Sequence, residues 1–456
     1  MILTLVAAIT RFAFLYNPRA IVFDEVYFRE YALHYKAGTY YFDLHPPLGK
    51  LLLGAWAAIA GVDADAMGKD PAVVMRVLPA FAGTLLIVVI YLLIRKLSKS
   101  RKIATLAAAL VLLDTAILVE SRLIVMDSML LLFGITAVYA ALKAREYTGR
   151  SQWLWFAFAL FCAGCATSIK LTGLTALGMI GLLWLVDVIN EKRWQNWKPA
   201  VGQAVLIGLI PLTVYMLTFA IHFALLPKKG PGDLFMSQQF QSVLKGDPLY
   251  KEDAKMGFIA KFKDLNKSIH VYEVQLNTGT HPYASKWYTW PIAKRGVYTY
   301  TAPADDGKSR YIYANANPAI WWGTLLGALV VVIGWIFKRQ RFSRQKWPLI
   351  FLGVGWMANF LPFSLIVRPM FLYHYFFALI FSIGFVVVGL GALAGWNDED
   401  NDKDRPFAFP SRWSALLYWG ILGAGLAAFL YFSPITYGTP LTPQGLESRM
   451  WLSSWR

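Results

Sequence analysis

Eleven apolar runs, parted mostly by short loops that carry Lys and Arg, restrict this chain to a polytopic membrane protein. The runs cover roughly 2–16, 75–94, 103–119, 124–142, 153–169, 171–189, 200–222, 318–337, 348–366, 371–395 and 413–433. Crossing a bilayer core takes roughly 18–20 apolar residues in a helix, and several of these runs reach that length. Only 16% of the 456 residues are charged, against about 25% in soluble domains, so most of the chain meets lipid or other apolar helices. The expected fold class is an all-α polytopic membrane protein. Cys162 and Cys165 lie inside one apolar run and read as small core residues rather than as a disulfide framework. The first run lacks a small-residue cleavage site and reads as a somewhat short spanning helix rather than a signal peptide.

A twelfth run, 48–62, contains Lys50 and ends in Gly61 and Asp63. Charge decides whether it spans. Lys and Arg in short loops mark the cytoplasmic side. Four such clusters occur: Arg95, Lys96, Lys99, Arg101 and Lys102; Lys143, Arg145 and Arg150; Lys192, Arg193 and Lys198; Lys338, Arg339, Arg341, Arg344 and Lys346. With eleven spans and an inside N-terminus all four are cytoplasmic, together with the loop 396–412. A spanning 48–62 would turn every later cluster outward. It is therefore expected to lie along the outer membrane surface. The C-terminus ends outside. The net charge of +17 is assigned to these loops, which sets nucleic-acid binding aside as the reading of basicity.

This topology divides the chain into a membrane module, 1–222, with a first outer loop at 17–74; a second outer segment, 223–317; and C-terminal membrane helices, 318–456. Both large polar segments face the same side. Chemistry is expected there.

The first outer loop carries Asp24-Glu25 and then Phe42-Asp43-Leu44-His45-Pro46-Pro47-Leu48-Gly49-Lys50. Adjacent carboxylates just outside a span are costly unless they are solvated, paired or functional. Such a carboxylate can take a proton from a hydroxyl. His45 precedes proline and is pushed into extended backbone, Gly49 allows close approach, and Lys50 opens the surface helix. An imidazole and an ammonium thus sit on a stiff corner where a lipid phosphate would lie.

These residues closely resemble the signature loop of the protein O-mannosyltransferases. Other segments agree in order: Leu113-Asp114-Thr115 with Glu120-Ser121-Arg122 and Met126-Asp127-Ser128; Ser168-Ile169-Lys170-Leu171-Thr172-Gly173-Leu174; His281-Pro282-Tyr283-Ala284-Ser285 with Trp287-Tyr288-Thr289-Trp290-Pro291; Asn317-Pro318 with Trp321-Trp322; and Tyr373-His374-Tyr375. The segment 223–317 is too short for the β-trefoil repeat domain of the eukaryotic members, so the likeness is to the bacterial type.

The resemblance implies a GT-C glycosyltransferase with about 11 transmembrane helices and two large extracytoplasmic loops. It implies an inverting transfer of mannose from polyprenyl-phosphate-mannose to Ser or Thr hydroxyls of acceptor proteins, at the outer face of the cell membrane. Asp24 is the base by resemblance; Glu25 orients a neighbour or meets the acceptor. Arg122, His45, Lys50, Lys170, Arg368 and His374 all sit at predicted outer helix ends, where cations can stabilise the departing phosphate. Arg122 leads, because a guanidinium can fork two phosphate oxygens. Asp43, His281, Trp287 and Trp290 are expected to contact the acceptor or brace the loops; the aromatics suit either sugar stacking or the membrane interface. No His/Cys/Asp cluster has zinc-ligand spacing, and a lipid phosphate needs no metal to neutralise a diphosphate. No obligatory metal or cofactor is expected. The expected partners are the lipid-linked donor, acceptor proteins and membrane lipids.

Two other readings remain at this stage. The same architecture could move another polyprenyl-linked sugar to a lipid or glycan. A transporter is the reading from another class, but the chain shows no repeated halves and its polar residues gather on one face.

Overall fold

The computed structural model describes residues 1–62, 72–190, 197–276, 281–396 and 407–456. The end of the first outer loop, the basic residues Lys192 and Arg193, and most of the loop 396–412 lie outside the described residues.

In chain order the α-helices are α1 (Ile2–Phe12), α2 (Glu25–Ala37), α3 (Leu48–Ile59), α4 (Ala72–Ser98), α5 (Arg101–Leu112), α6 (Thr115–Glu120), α7 (Asp127–Ala144), α8 (Gly149–Ile169), α9 (Leu174–Asn190), α10 (Trp197–Leu225), α11 (Gln238–Gln241), α12 (Phe258–Leu276), α13 (Pro318–Phe337), α14 (Lys346–Ala358), α15 (Phe376–Ala394), α16 (Arg412–Tyr437) and α17 (Pro443–Glu447). Among the described residues nine helical segments are long and apolar enough to cross a membrane. They match nine of the eleven expected runs. The other two runs are shorter: α1 has 11 residues, and 103–119 is broken into α5 and α6. The 12-residue α3 is a separate short apolar helix.

The break between α5 and α6 has a local cause. Asp114 takes an extended backbone (ψ 122°) and its side chain accepts from the Ile117 amide at 2.9 Å, starting a new helix. Its second oxygen accepts from the indole N–H of Trp321 at 2.6 Å. Asn317 donates to the Leu113 carbonyl at 3.0 Å, which the break leaves near the helix end, and to the Gly425 carbonyl at 3.0 Å. A broken helix away from water must have its polar groups matched within the protein, and these side chains do so.

The chain forms two compact units, each discontinuous in sequence. Unit 1 comprises Met1–Pro18, Ala80–Leu123 and His281–Arg456; unit 2 comprises Arg19–Pro79 and Ile124–Thr280. The units cut across the sequence-order division at 222 and 317, because the second outer segment belongs to unit 2 in its first part and to unit 1 in its second.

In unit 1, α15 is nearly all buried and packs against α5, α13 and α14. Close approach rests on small residues: a Cβ at Gly389 would lie 2.4 Å from a Val331 methyl, and one at Gly355 2.5 Å from the Phe381 ring. Helices associate in membranes through such contacts. Unit 1 also holds a small sheet that the sequence reading did not anticipate. Strands β1 (Val297–Pro303) and β2 (Ser309–Ala314) pair antiparallel with a bulge between Tyr298 and Tyr300, and β3 (Pro440–Leu441) adds to β2. The alternating Tyr-Thr-Tyr-Thr and Tyr-Ile-Tyr runs suit strands, and Asp306 (φ 59°) and Gly307 (φ 66°) supply the left-handed turn between them.

In unit 2, α8 packs against α7, α9 and α10. A mainly aromatic core of Tyr35, Tyr40, Tyr41, Phe42, Phe219, Phe223 and Phe240 joins α2 and the signature loop to α10 and α11.

Candidate active site

The entry to α2 is built around Glu25. Its carboxylate is fully buried and takes two hydrogen bonds from Arg76, Nε at 2.7 Å and Nη2 at 2.6 Å. It also accepts from the amides of Val22 at 3.0 Å and Ile124 at 2.9 Å. Arg76, equally buried, donates to the Ala20 carbonyl at 3.0 Å. This cluster holds Phe23 in the left-handed region, at φ 52°, a conformation that costs a bulky residue roughly 1–3 kcal/mol unless its surroundings enforce it.

Asp24, the next residue, occupies the N-cap of α2, yet its side chain makes no capping bond. Its carboxyl pKa is pushed up to about 6, first by burial, against the pull of Lys170, with Asp127 and Asp43 adding to the rise. Lys170 ends α8 in an extended conformation and donates to both oxygens of Asp127, at 2.9 and 2.7 Å.

The signature loop supplies the third charged group. Lys50 is buried, pairs with Asp43, donates to the His45 carbonyl at 2.6 Å, and lies 5.8 and 5.9 Å from the ring centres of Tyr31 and Tyr41. Burial works against the charge on Asp43, but Lys50 and His45 hold its carboxyl below the ordinary range. Gly49 is required by packing: a Cβ there would come within 2.3 Å of the Met126 sulfur. Tyr41 donates to the Tyr35 hydroxyl at 2.8 Å, which in turn bonds His222 Nδ1 at 2.8 Å. A small cavity lined by Asp43, His45, Lys50 and His222 opens beside the pair. Unit 2 thus gathers a half-buried carboxylate and two ammonium groups, each ammonium held by its own aspartate.

Unit 1 contains a separate cluster. The Trp290 ring is fully buried and stacked on His374 at 5.9 Å and 11°, and its N–H donates to Ser285 at 2.9 Å. His281 meets the Phe371 ring at 4.9 Å, Trp287 meets Phe360 at 5.0 Å, and the Ser285 amide donates to the Met370 carbonyl at 2.8 Å. The segment 281–290 is thereby laid against 360–375, with Arg368 half-buried between the two spans there. Among the described residues no group of three His, Cys, Asp or Glu side chains could hold a metal ion.

Residues 1–227 match the family model of the dolichyl-phosphate-mannose-protein mannosyltransferases, and residues 258–455 match that of the C-terminal four-span region of protein-O-mannosyltransferase. The chain belongs to the protein O-mannosyltransferase family. It is 36% identical over 261 residues to protein O-mannosyltransferase 1 of Drosophila pseudoobscura pseudoobscura, covering 54% of this chain and 29% of that one. Its matches span 29% to 42% of the length of the curated relatives. It superposes on the Saccharomyces cerevisiae Pmt1-Pmt2 complex bound to the sugar donor with a TM-score of 0.87 at 19% identity, over 100% of this chain and 92% of that one. ArnT from Cupriavidus metallidurans in the apo state gives 0.53 at 14% identity, over 96% and 76%. The fold is that of GT-C glycosyltransferases, as the motifs implied.

Most of the residues expected to serve this O-mannosyltransferase family member fall into two groups. Asp24, Asp43, His45, Lys50 and Lys170 come together in unit 2. His281, Trp287, Trp290 and His374 come together in unit 1, and the half-buried Arg368 belongs to the same unit. Two expected residues, Arg122 and Trp290, are already engaged within the protein. Arg122 does not present a free fork: it donates to the carbonyls of Thr10 at 3.4 Å, Arg11 at 3.4 Å, Ala13, and Phe14 at 2.9 Å, and lies 4.4 Å from the Tyr437 ring. It caps the end of α1, whose last carbonyls have no helical partner. Trp290 is buried against His374 and Phe363, the loop-bracing one of its two expected roles. Glu25 is fully buried, with its carboxylate bonded to Arg76 and to two backbone amides.

Arg76 and Asp127 went unassigned in the sequence. Arg76 carried a signal, as a lone charge near the start of an apolar run. His222 carried a weaker one of the same kind.

Proposed function

We propose that this protein moves mannose from a polyprenyl-phosphate carrier to Ser and Thr hydroxyls of acceptor proteins, with inversion, at the extracytoplasmic face of the cell membrane. The observation that carries the reading is Asp24: a carboxylate free of capping duty, raised to about 6 by burial, with the ammonium of Lys170 acting on it. A base with a pKa near the working pH transfers protons most effectively. In the proposed step the acceptor hydroxyl gives its proton to Asp24 while its oxygen bonds the anomeric carbon. The bond from that carbon to the phosphate oxygen breaks, and its electron pair stays on the lipid phosphate. Lys170 and Lys50, fixed by Asp127 and Asp43, stabilise that negative charge, as oriented cations do in a site closed to water. The leaving group is a phosphate monoester, so the step is proposed to need no metal. The topology proposed with it is eleven spans, with the signature loop outside.

The test is mass spectrometry of a Ser/Thr-rich secreted protein made with the wild-type enzyme or with Asp24→Asn. Hexose additions on Ser or Thr are expected only with the wild type, and to persist in membranes treated with a chelator. Hexose that appears on lipid and never on protein, with folded enzyme and donor present, would refute the protein acceptor.

A further inference from the structure

Helix α12 lies in unit 2 and packs on α10. Phe262 meets Phe219 at 5.0 Å and Tyr215 at 6.3 Å, and Phe258 meets Phe223 at 6.3 Å. Leu265, Ile269 and Tyr272 complete the buried side. These contacts fix the level of α12 relative to the bilayer. At about 1.5 Å per residue the 29-residue α10 exceeds the ~30 Å hydrocarbon core. Its exposed apolar side chains Leu217, Ile221 and Leu225 continue to its end. The rings that hold α12 come from the same stretch of α10 as these lipid-facing residues. The helix therefore sits at membrane level, beside the outer end of the span.

The outward side of α12 has an unusual make-up for a loop helix. Ile259, Lys263, Lys267, His270, Val271 and Val274 follow helical spacing along one stripe and are all exposed; the apolar members are 52%, 49% and 53% accessible. No carboxylate lies within the stripe. The helix carries two beside it: Asp264, which accepts from the amide and hydroxyl of Ser237 at 3.1 and 2.8 Å, and the half-buried Glu273. Three apolar side chains beside two lysines and a histidine make a face that can sink shallowly into a bilayer. The lysine stems would lie on the apolar surface and the ammonium groups would reach the phosphates.

We propose that α12 is an interfacial helix whose stripe of Ile259, Lys263, Lys267, His270, Val271 and Val274 rests in the headgroup layer and selects anionic lipid. The inference rests on α10 spanning the membrane and is independent of which sugar or acceptor the enzyme uses.

Spin labels read the position directly. Cysteines are placed at Val271, Val274 or, as a reference, the exposed Gln239 of α11, in a Cys162→Ala/Cys165→Ala background. The full-length protein is reconstituted in phosphatidylcholine with or without phosphatidylglycerol. Labels at 271 and 274 should collide more with oxygen than with a water-soluble nickel chelate, and the label at 239 the reverse. Lys263→Gln/Lys267→Gln should raise nickel access at 271 and 274 in the anionic bilayer and abolish the difference between the two lipids. Each lysine near an anionic surface favours its partition about five-fold. Labels at 271 and 274 that behave like the one at 239 in both bilayers overturn the proposal. So does protection that appears only with an acceptor peptide, which assigns the face to protein, or dipolar broadening between labels, which assigns it to a second copy.

Discussion

Replacing Asp24 by Asn removes one proton acceptor while keeping the shape of the side chain. General-base catalysis contributes about 10²–10⁴-fold, so transfer at neutral pH should fall by that order. The structure adds a pH signature. With the carboxyl at about 6, ionisation is nearly complete at pH 7 and about one-tenth complete at pH 5, so wild-type kcat/KM should drop about ten-fold between them. Lys170 pulls this pKa down; Lys170→Gln should therefore move the acid limb to higher pH and lower the plateau through lost phosphate stabilisation. Stability responds with the opposite sign to activity. A carboxyl whose folded pKa lies above its unfolded one binds its proton more tightly when folded, so stability is lost as pH rises from about 3.8 to about 6. The loss is at most on the order of 3 kcal/mol, reduced by solvent screening because the group is partly exposed. Asp24→Asn removes this cost, so its thermal midpoint at pH 7 should equal or exceed that of the wild type. The assay is mannosyl transfer to a synthetic Thr peptide across pH 5–8, alongside thermal unfolding in the same detergent. A wild-type profile that stays flat through pH 6, with an Asp24→Asn variant still within three-fold of wild type, would remove Asp24 as the base.

Arg76→Ala leaves Glu25 as a buried, uncompensated charge and should destabilise the protein by about 3–5 kcal/mol; an unfolding midpoint close to wild type would show that the Arg76–Glu25 pair does not hold the entry to α2. Arg122→Ala should lower the midpoint through lost bonds to the α1 carbonyls, each charged bond contributing roughly 1.5–3 kcal/mol. Donor affinity of its folded fraction should be retained, and weakened donor binding at an unchanged midpoint would return Arg122 to the phosphate. For topology, a cysteine replacing Gln239 should react with an impermeant reagent from outside and one replacing Gln340 only from inside; labelling of both from one side would refute eleven spans.

Most of the membrane architecture was legible because lipid imposes a simple rule. A spanning segment must be apolar and must satisfy its own backbone, so run length alone located nine helices. The rule fails where side chains take over backbone satisfaction. The run 103–119 reads as one helix, yet Asp114 and Asn317, 203 positions apart in the chain, together satisfy a break in it. Nothing local to 103–119 marks that break except one carboxylate. The sheet at 297–314 escaped for a different reason: the surrounding loop is rich in aromatics, which suit strand and membrane interface equally.

The site was legible in residue type and less so in role. Sequence order places six cations near predicted outer helix ends and separates them only by the fork that favours Arg122. Their partners separate them. Glu25 and Arg122 lie beside strong candidates, but Glu25 is committed to Arg76 and two amides, and Arg122 to the carbonyls ending α1. Such saturated groups hold structure, because any ligand would first have to break bonds that are already short and buried. Lys50 and Lys170 are held in place by Asp43 and Asp127. Asp24 stands at a helix start where a carboxylate would ordinarily bond the N2 or N3 amide, and it does not. With the neighbouring Glu25 committed to Arg76 and two amides, the carboxylate that makes no capping bond is the one proposed to receive a proton from outside the protein.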